Sequence, residues 1–215
     1  MTKPKPGFLL KRNQKLAFEG DSLTCRRMAP AHDTWPYLRM MHWDKTWADV
    51  FSEILFCVRP DLQLNFRNSA VGGSNITNVL KRFESCVEPF KPDWLFITIG
   101  NNDPHQNIKL DAFQAGVIEL AQRVRKLSGG RVVFLGGAHE KSHPSGHLYF
   151  KAMQRAAKQE GGIYVDFQKV LKKKLAELRK SYDLHTIYSD GNHFNEIGAM
   201  MIAHIVLASV GFEYH

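Results

Sequence analysis

Ser22, Asp190 and His193 are the residues whose types and spacing could carry covalent chemistry. A serine hydroxyl is a weak nucleophile until a base removes its proton. An imidazole, which titrates near neutrality, can be that base, and a carboxylate can fix its tautomer and stabilise the imidazolium. Asp190 and His193 stand close enough for one turn of chain to bring carboxylate to ring. Ser22 follows Gly20 and Asp21, and the glycine lets the backbone turn sharply after the apolar run Leu16, Ala17, Phe18. Gly-Asp-Ser by itself is ordinary turn composition. The chemistry it could serve is acyl transfer, whose tetrahedral intermediate needs hydrogen-bond donors aimed at its oxyanion. The candidates are the backbone N–H of Ser22, the N–H of Gly73 and the side-chain amide of Asn102. Gly73 carries no side chain, so an oxygen can approach its backbone closely.

Residues this far apart need a scaffold that gathers them. Strands are expected at 15–19, through the alternating Leu62, Leu64 and Phe66, from Trp94 to Ile99, from Val132 to Leu135 and from Ile163 to Val165. The third is almost continuously apolar, as a parallel strand buried on both faces should be. Thr46, with Asp49 as a capping-box partner, opens a helix whose apolar face is Trp47, Val50, Phe51, Ile54 and Leu55. Ser74 or Asn75 caps the next helix, with Ile76, Val79, Leu80, Phe83 and Val87 on one face. Further helices run from Phe113 to Leu127 with Gly129 beyond, around 147–160, along Phe167, Leu171, Leu175 and Leu178, and over 196–209. Strands alternating with helices predict an α/β fold, a five-stranded parallel sheet with helices on both faces. Ligands bind such sheets beyond the carboxyl ends of the strands. Ser22, the Gly72-Gly73 turn, Asn102 with Asp103, and Asp190 with His193 can therefore meet at one mouth. The segment from Thr24 to Lys45 has no clean period and reads equally as an aromatic wall for substrate or as a loop on its own core. Trp35, Tyr37, Trp43 and His139 are the expected substrate-binding residues.

Gly20-Asp21-Ser22-Leu23, the Gly73 turn, Gly100-Asn101-Asn102-Asp103 and the run from Asp190 to His193 stand in the order of the four blocks of the SGNH/GDSL hydrolase family. The chain resembles that family over about 15–210. The resemblance implies a flavodoxin-like three-layer α/β/α sandwich, with Ser22 as nucleophile, His193 as base and Asp190 as its orienter. It implies an oxyanion hole made by Ser22, Gly73 and Asn102, and it makes Asp21 and Asp103 holders of their loops. Two positions depart from the pattern. Gly72 stands where the family often has serine, which leaves open which glycine donates, and Phe194 stands where proline or an aliphatic residue is more usual. Neither change removes a reacting group. The G-x-S-x-G elbow, the P-loop and the dinucleotide fingerprint are all absent.

The chain's 215 residues suffice for one core, read as an extension over 1–14 and a single hydrolase domain over 15–215. No apolar run approaches the roughly 20 residues of a membrane span, and no leader-type segment opens the chain, so a cytoplasmic protein is expected. Cys25, Cys57 and Cys86 lack metal-type spacing and read as reduced thiols. The formal charge of +8 allows an anionic partner. Its densest run, Lys172, Lys173, Lys174, Arg179 and Lys180, sits on the wet face of an amphipathic helix, and no basic stripe with interleaved aromatics argues for nucleic acid. His139, His143 and His147 recur every four residues, but Pro144 and Gly146 break the helix that would align them, so neither metal nor cofactor is expected. The expected function is a serine esterase working through an acyl-enzyme on a short-chain, acetyl ester of a carbohydrate or other small molecule. The alternatives are a lysophospholipase or thioesterase, an acyltransferase, or a catalytically silent basic binding module, against which the complete triad argues.

Overall fold

A computed structural model describes residues 7–25, 45–136, 143–178, 187–188 and 193–213. Five strands form one parallel sheet: β1 (Lys15–Gly20), β2 (Asn65–Asn68), β3 (Trp94–Thr98), β4 (Arg131–Gly136) and β5 (Ile163–Asp166). Their spatial order is β2-β1-β3-β4-β5, the flavodoxin-like doubly wound order. Between and after them run α1 (Trp47–Val58), α2 (Ile76–Cys86), the short α3 (Asn102–His105), α4 (Leu110–Ser128), α5 (Gly146–Gln159), α6 (Phe167–Leu178) and α7 (Glu196–Ser209).

Successive side chains on a strand point to opposite faces, and this chain uses both. Leu16, Phe18, Trp94, Phe96, Val133 and Leu135 pack with α1, α6 and α7. Ala17, Leu95, Ile97, Val132 and Phe134 pack with α2, α4 and α5. The result is a three-layer α/β/α sandwich with a core on each side of the sheet. The helices begin where their caps dictate: Thr46 and Asp49 close a reciprocal capping box on α1, and Asn75 and Asn78 close one on α2. Gly129, in the left-handed conformation, ends α4.

The second strand is shorter than its alternation predicts. Leu62 lies in a 3-10 turn, Pro60–Leu62, and Gln63 takes a left-handed φ of 48°. Proline at the start of that turn breaks the period, and pairing begins only at Asn65. Leu175 and Leu178 of α6, and Arg179 and Lys180 after it, lie outside the described side chains. Phe8 to Leu10 lie against the far end of the molecule: the Leu9 N–H donates to the Val210 carbonyl at 2.9 Å, and the Phe8 and Phe212 rings meet edge to face. Among the described residues no helix is long and apolar enough to cross a membrane.

Candidate active site

Ser22 sits two residues past Gly20, the carboxyl end of β1. Gly20 has φ +125°, and a Cβ there would collide with the Thr98 carbonyl of β3, so only glycine lets the two strand ends close up here. Asp21 then builds the turn. Its N–H donates to the Thr98 carbonyl, its carbonyl accepts from the Thr24 and Cys25 N–H groups, and its Oδ1 accepts from the Leu23 N–H at 3.0 Å. Oδ1 also accepts from Thr98 Oγ1 at 2.9 Å. Because that bond uses the only hydrogen of the Thr98 hydroxyl, Thr24 Oγ1 must donate across the 2.7 Å contact to Thr98, and Thr24 in turn accepts from Trp47 Nε1 at 3.1 Å. A directed chain from α1 through β3 thus ends on Asp21 and fixes the turn that carries Ser22. Burial pushes the Asp21 carboxyl above the usual carboxylate range, against the pull of these donors and of nearby His193.

His193 arrives from the other end of the chain. Asn195 caps α7, accepting from the Gly198 N–H at 3.0 Å, and its own N–H bonds the Ile187 carbonyl. Phe194 is wedged between Tyr188, against which its ring stacks at 5.1 Å, and Gly198, whose missing side chain makes the room. Held between these anchors, His193 Nε2 lies 2.9 Å from Ser22 Oγ. The two residues are 171 positions apart. The aromatic residue that departs from the family pattern therefore pins the histidine rather than displacing it.

The third contributor is the loop after β2. The Val71 N–H bonds the Gly20 carbonyl at 3.1 Å, which lays this loop along the end of β1. Gly73 has φ +75° and open space where a Cβ would stand, so its glycine answers a conformational need as much as a need for access. Neither Ser22 nor Gly73 gives its backbone N–H to any backbone acceptor among the described residues. Asn102 Nδ2 donates to the Ser74 carbonyl at 3.0 Å, and the amide's second hydrogen stays available. Asp103 is fully buried and staples the loop after β3 to α2, its oxygens accepting from the Ile76 and Gly100 N–H groups at 2.9 and 3.1 Å. Its desolvation raises its pKa to about 6.

Residues that the sequence does not single out hold this arrangement. Glu19, fully buried in β1, pairs with Arg82 of α2 at 2.6 Å. Arg82 also donates to Ser74 Oγ at 2.8 Å and to the Gly20 carbonyl at 3.0 Å. A charged residue inside an apolar strand is a sequence signal that a buried counter-charge exists, but nothing in the sequence selects Arg82 from the 29 lysines and arginines. Beside the Ser22 hydroxyl a small pocket of ≈ 20 Å³ is lined by Ser22, Leu23, Trp47, His193, Phe194 and Ala199. That is about the room a water-sized or methyl-sized group needs.

Asp190, Trp35, Tyr37, Trp43 and His139 lie outside the described residues. The structure brings together Ser22 and His193, and it ties the Gly73 loop to Asn102. Among the described residues no group of three or more histidine, cysteine or acidic side chains could hold a metal ion. His143 and His147 instead bond within their own loop, to Ser145 Oγ and the Pro144 carbonyl.

A model of the GDSL-like lipase/acylhydrolase family matches residues 18–200. An acetylxylan esterase of Geobacillus stearothermophilus is 24% identical over 217 residues, which cover 94% of this chain and 95% of that protein. A crystal structure of an acetylxylan esterase from the same organism superposes with a TM-score of 0.78 at 22% identity, over 95% of this chain and 97% of the other. LAE5, an α/β hydrolase enzyme from the metagenome of Lake Arreo, Spain, superposes with a TM-score of 0.78 at 20% identity, over 95% and 98%.

Proposed function

The chain belongs to the GDSL-like lipase/acylhydrolase family, and from that premise we propose that it is a serine esterase removing short acyl groups, acetyl above all, from carbohydrate esters. The single observation that carries this reading is the 2.9 Å approach of His193 Nε2 to Ser22 Oγ at the strand-end mouth. The similarity to acetylxylan esterases over almost the whole chain supports the choice of substrate. So does the pocket beside Ser22, which among the described residues has room for a methyl-sized group.

In this mechanism the Ser22 hydroxyl attacks the ester carbonyl while His193 takes its proton. The oxyanion that forms is held by the N–H groups of Ser22 and Gly73 and by the Asn102 side-chain amide. Collapse breaks the bond to the leaving alcohol, which receives the proton from His193. Water then attacks the acyl-enzyme with His193 again as base, and carboxylate leaves. Asp190, three residues before the histidine in sequence, is assigned to orient the ring and to stabilise its charged form.

The test is hydrolysis of p-nitrophenyl esters and acetylated xylo-oligosaccharides. Ser22→Ala and His193→Ala are each expected to lower kcat by roughly 10⁴-fold or more. Wild-type rates in both variants would end the serine-esterase reading. Across a series from acetate to palmitate, kcat/KM is expected to fall with chain length. A maximum at long chains would favour a lysophospholipase or thioesterase.

A further inference from the structure

Gly73 presents a problem of orientation. Among the described residues nothing packs where its side chain would be, and glycine has the widest backbone freedom of any residue. Apolar contact therefore cannot fix which way its peptide groups face; hydrogen bonds must. The Gly73 carbonyl accepts from Gln106 Nε2 at 2.7 Å. The next carbonyl, that of Ser74, accepts from Asn102 Nδ2 at 3.0 Å. Asn102 and Gln106 stand one helical turn apart, and the Gln106 N–H bonds the Asn102 carbonyl at 2.9 Å. Two consecutive loop carbonyls are thus gripped by two amides on one face of the same turn. The network also sets which end of the Gln106 amide faces the loop. Asn75 uses its Oδ1 to cap α2, accepting from the Asn78 N–H, so its Nδ2 is the atom facing Gln106 Oε1 at 2.6 Å. With Oε1 taken, Nε2 must be the group that meets Gly73.

We propose that Gln106 is a positioning residue for the oxyanion hole: by gripping the Gly73–Ser74 peptide it holds in place the loop residue whose own N–H, in the preceding peptide, is assigned to the oxyanion. The proposal rests on the serine-esterase reading and adds to it a side chain outside the four family blocks. Gln106 touches no reacting atom. It acts through Gly73 and is itself anchored by Asn75, the cap of α2. Losing it loosens the loop at Gly73 without deleting the donor, so the effect should be smaller than the roughly 10²–10³-fold cost of removing an oxyanion donor outright.

The experiment compares Gln106→Ala and Gln106→Glu with wild type on p-nitrophenyl acetate, with binding of a phenylboronic acid as a second readout. The boronate forms a tetrahedral adduct on the serine and so reports the oxyanion hole rather than general binding. Gln106→Ala is expected to lower kcat about tenfold with KM within about twofold, and to weaken boronate binding in parallel. Glutamate still offers an acceptor to Asn75 but has no hydrogen for the Gly73 carbonyl. Gln106→Glu should therefore be at least as impaired as the alanine variant. Wild-type kcat in Gln106→Glu would assign the side chain to holding Asn75 and overturn the proposal. A loss carried by KM with boronate binding unchanged would overturn it too. A wild-type enzyme without Ser22-dependent turnover would sink the functional reading together with this one. Ser22-dependent turnover that ignores Gln106→Ala would sink only this one.

Discussion

Asp103 is a carboxyl group that the fold keeps out of water while surrounding it with donors. Its folded pKa of about 6 lies above the ordinary 3.8 because burial outweighs the N–H groups of Ile76 and Gly100, and Asp21 nearby adds to the upward push. A folded value above the unfolded one means that the native state binds the proton more tightly. The stability this group contributes is fully present below 3.8 and is lost as pH rises through about 6. The loss is about 3 kcal/mol when the two values are converted to free energy. Urea unfolding of wild type and Asp103→Asn should show it. The wild-type advantage measured near about pH 4 shrinks towards about pH 7, and a difference constant across that window would refute the assignment. The same residue illustrates what a sequence conceals. That Asp103 holds a loop follows from its place in a family block, whereas its burial depends on α2 arriving from elsewhere.

Between elements, the ion pair of Glu19 on β1 with Arg82 on α2 sits below the loops that carry Ser22 and Gly73. Burial raises the Glu19 pKa and the guanidinium opposes that rise. Removing one partner of a buried pair strands the other, at about 3–5 kcal/mol. Arg82→Met should cost stability in that range, and adding Glu19→Leu should recover most of it in a double-mutant cycle. Turnover should stay depressed in the recovered protein, because Arg82 also holds Ser74 Oγ and the Gly20 carbonyl. Recovery of both stability and turnover would separate the pair from the site. Most elements are legible from the sequence, since Phe18, Phe96 and Phe134 mark strands that no solvated segment would tolerate and Thr46 and Asn75 announce their helices. Ser22 and His193 are legible because few residue types can do their chemistry. Arg82 is not, since a cation on a helix reads as surface until the fold turns it inward, and neither is Gln106, an exposed residue after α3 whose partner lies in a loop distant in sequence. Leu62 misleads for a similar reason, being apolar in strand period yet buried by a turn.

Across the whole molecule, the proposed nucleophile and its base are separated by 171 positions. They are joined only when α7 docks against α1. The segment from Phe8 to Leu10 and the one from Val210 to Phe212 lie side by side, tied by the Leu9–Val210 hydrogen bond. A chain relinked from Glu213 to Gly7 and opened at the exposed turn of Gly129, which leads into the amino end of β4 and so lies opposite the strand ends that carry the site, should fold and keep kcat within about tenfold of wild type. Failure of that permutant to fold would show that the order of the elements matters beyond their contacts. The relinked chain also exposes a consequence for biosynthesis. In the natural order a ribosome delivers Ser22 171 positions before His193, so over that stretch of synthesis the proposed nucleophile has no base to arm it. On the proposed roles its hydroxyl stays unactivated until His193 has been made. Opening the chain at Gly129 reverses that order, so that the histidine is made before the serine.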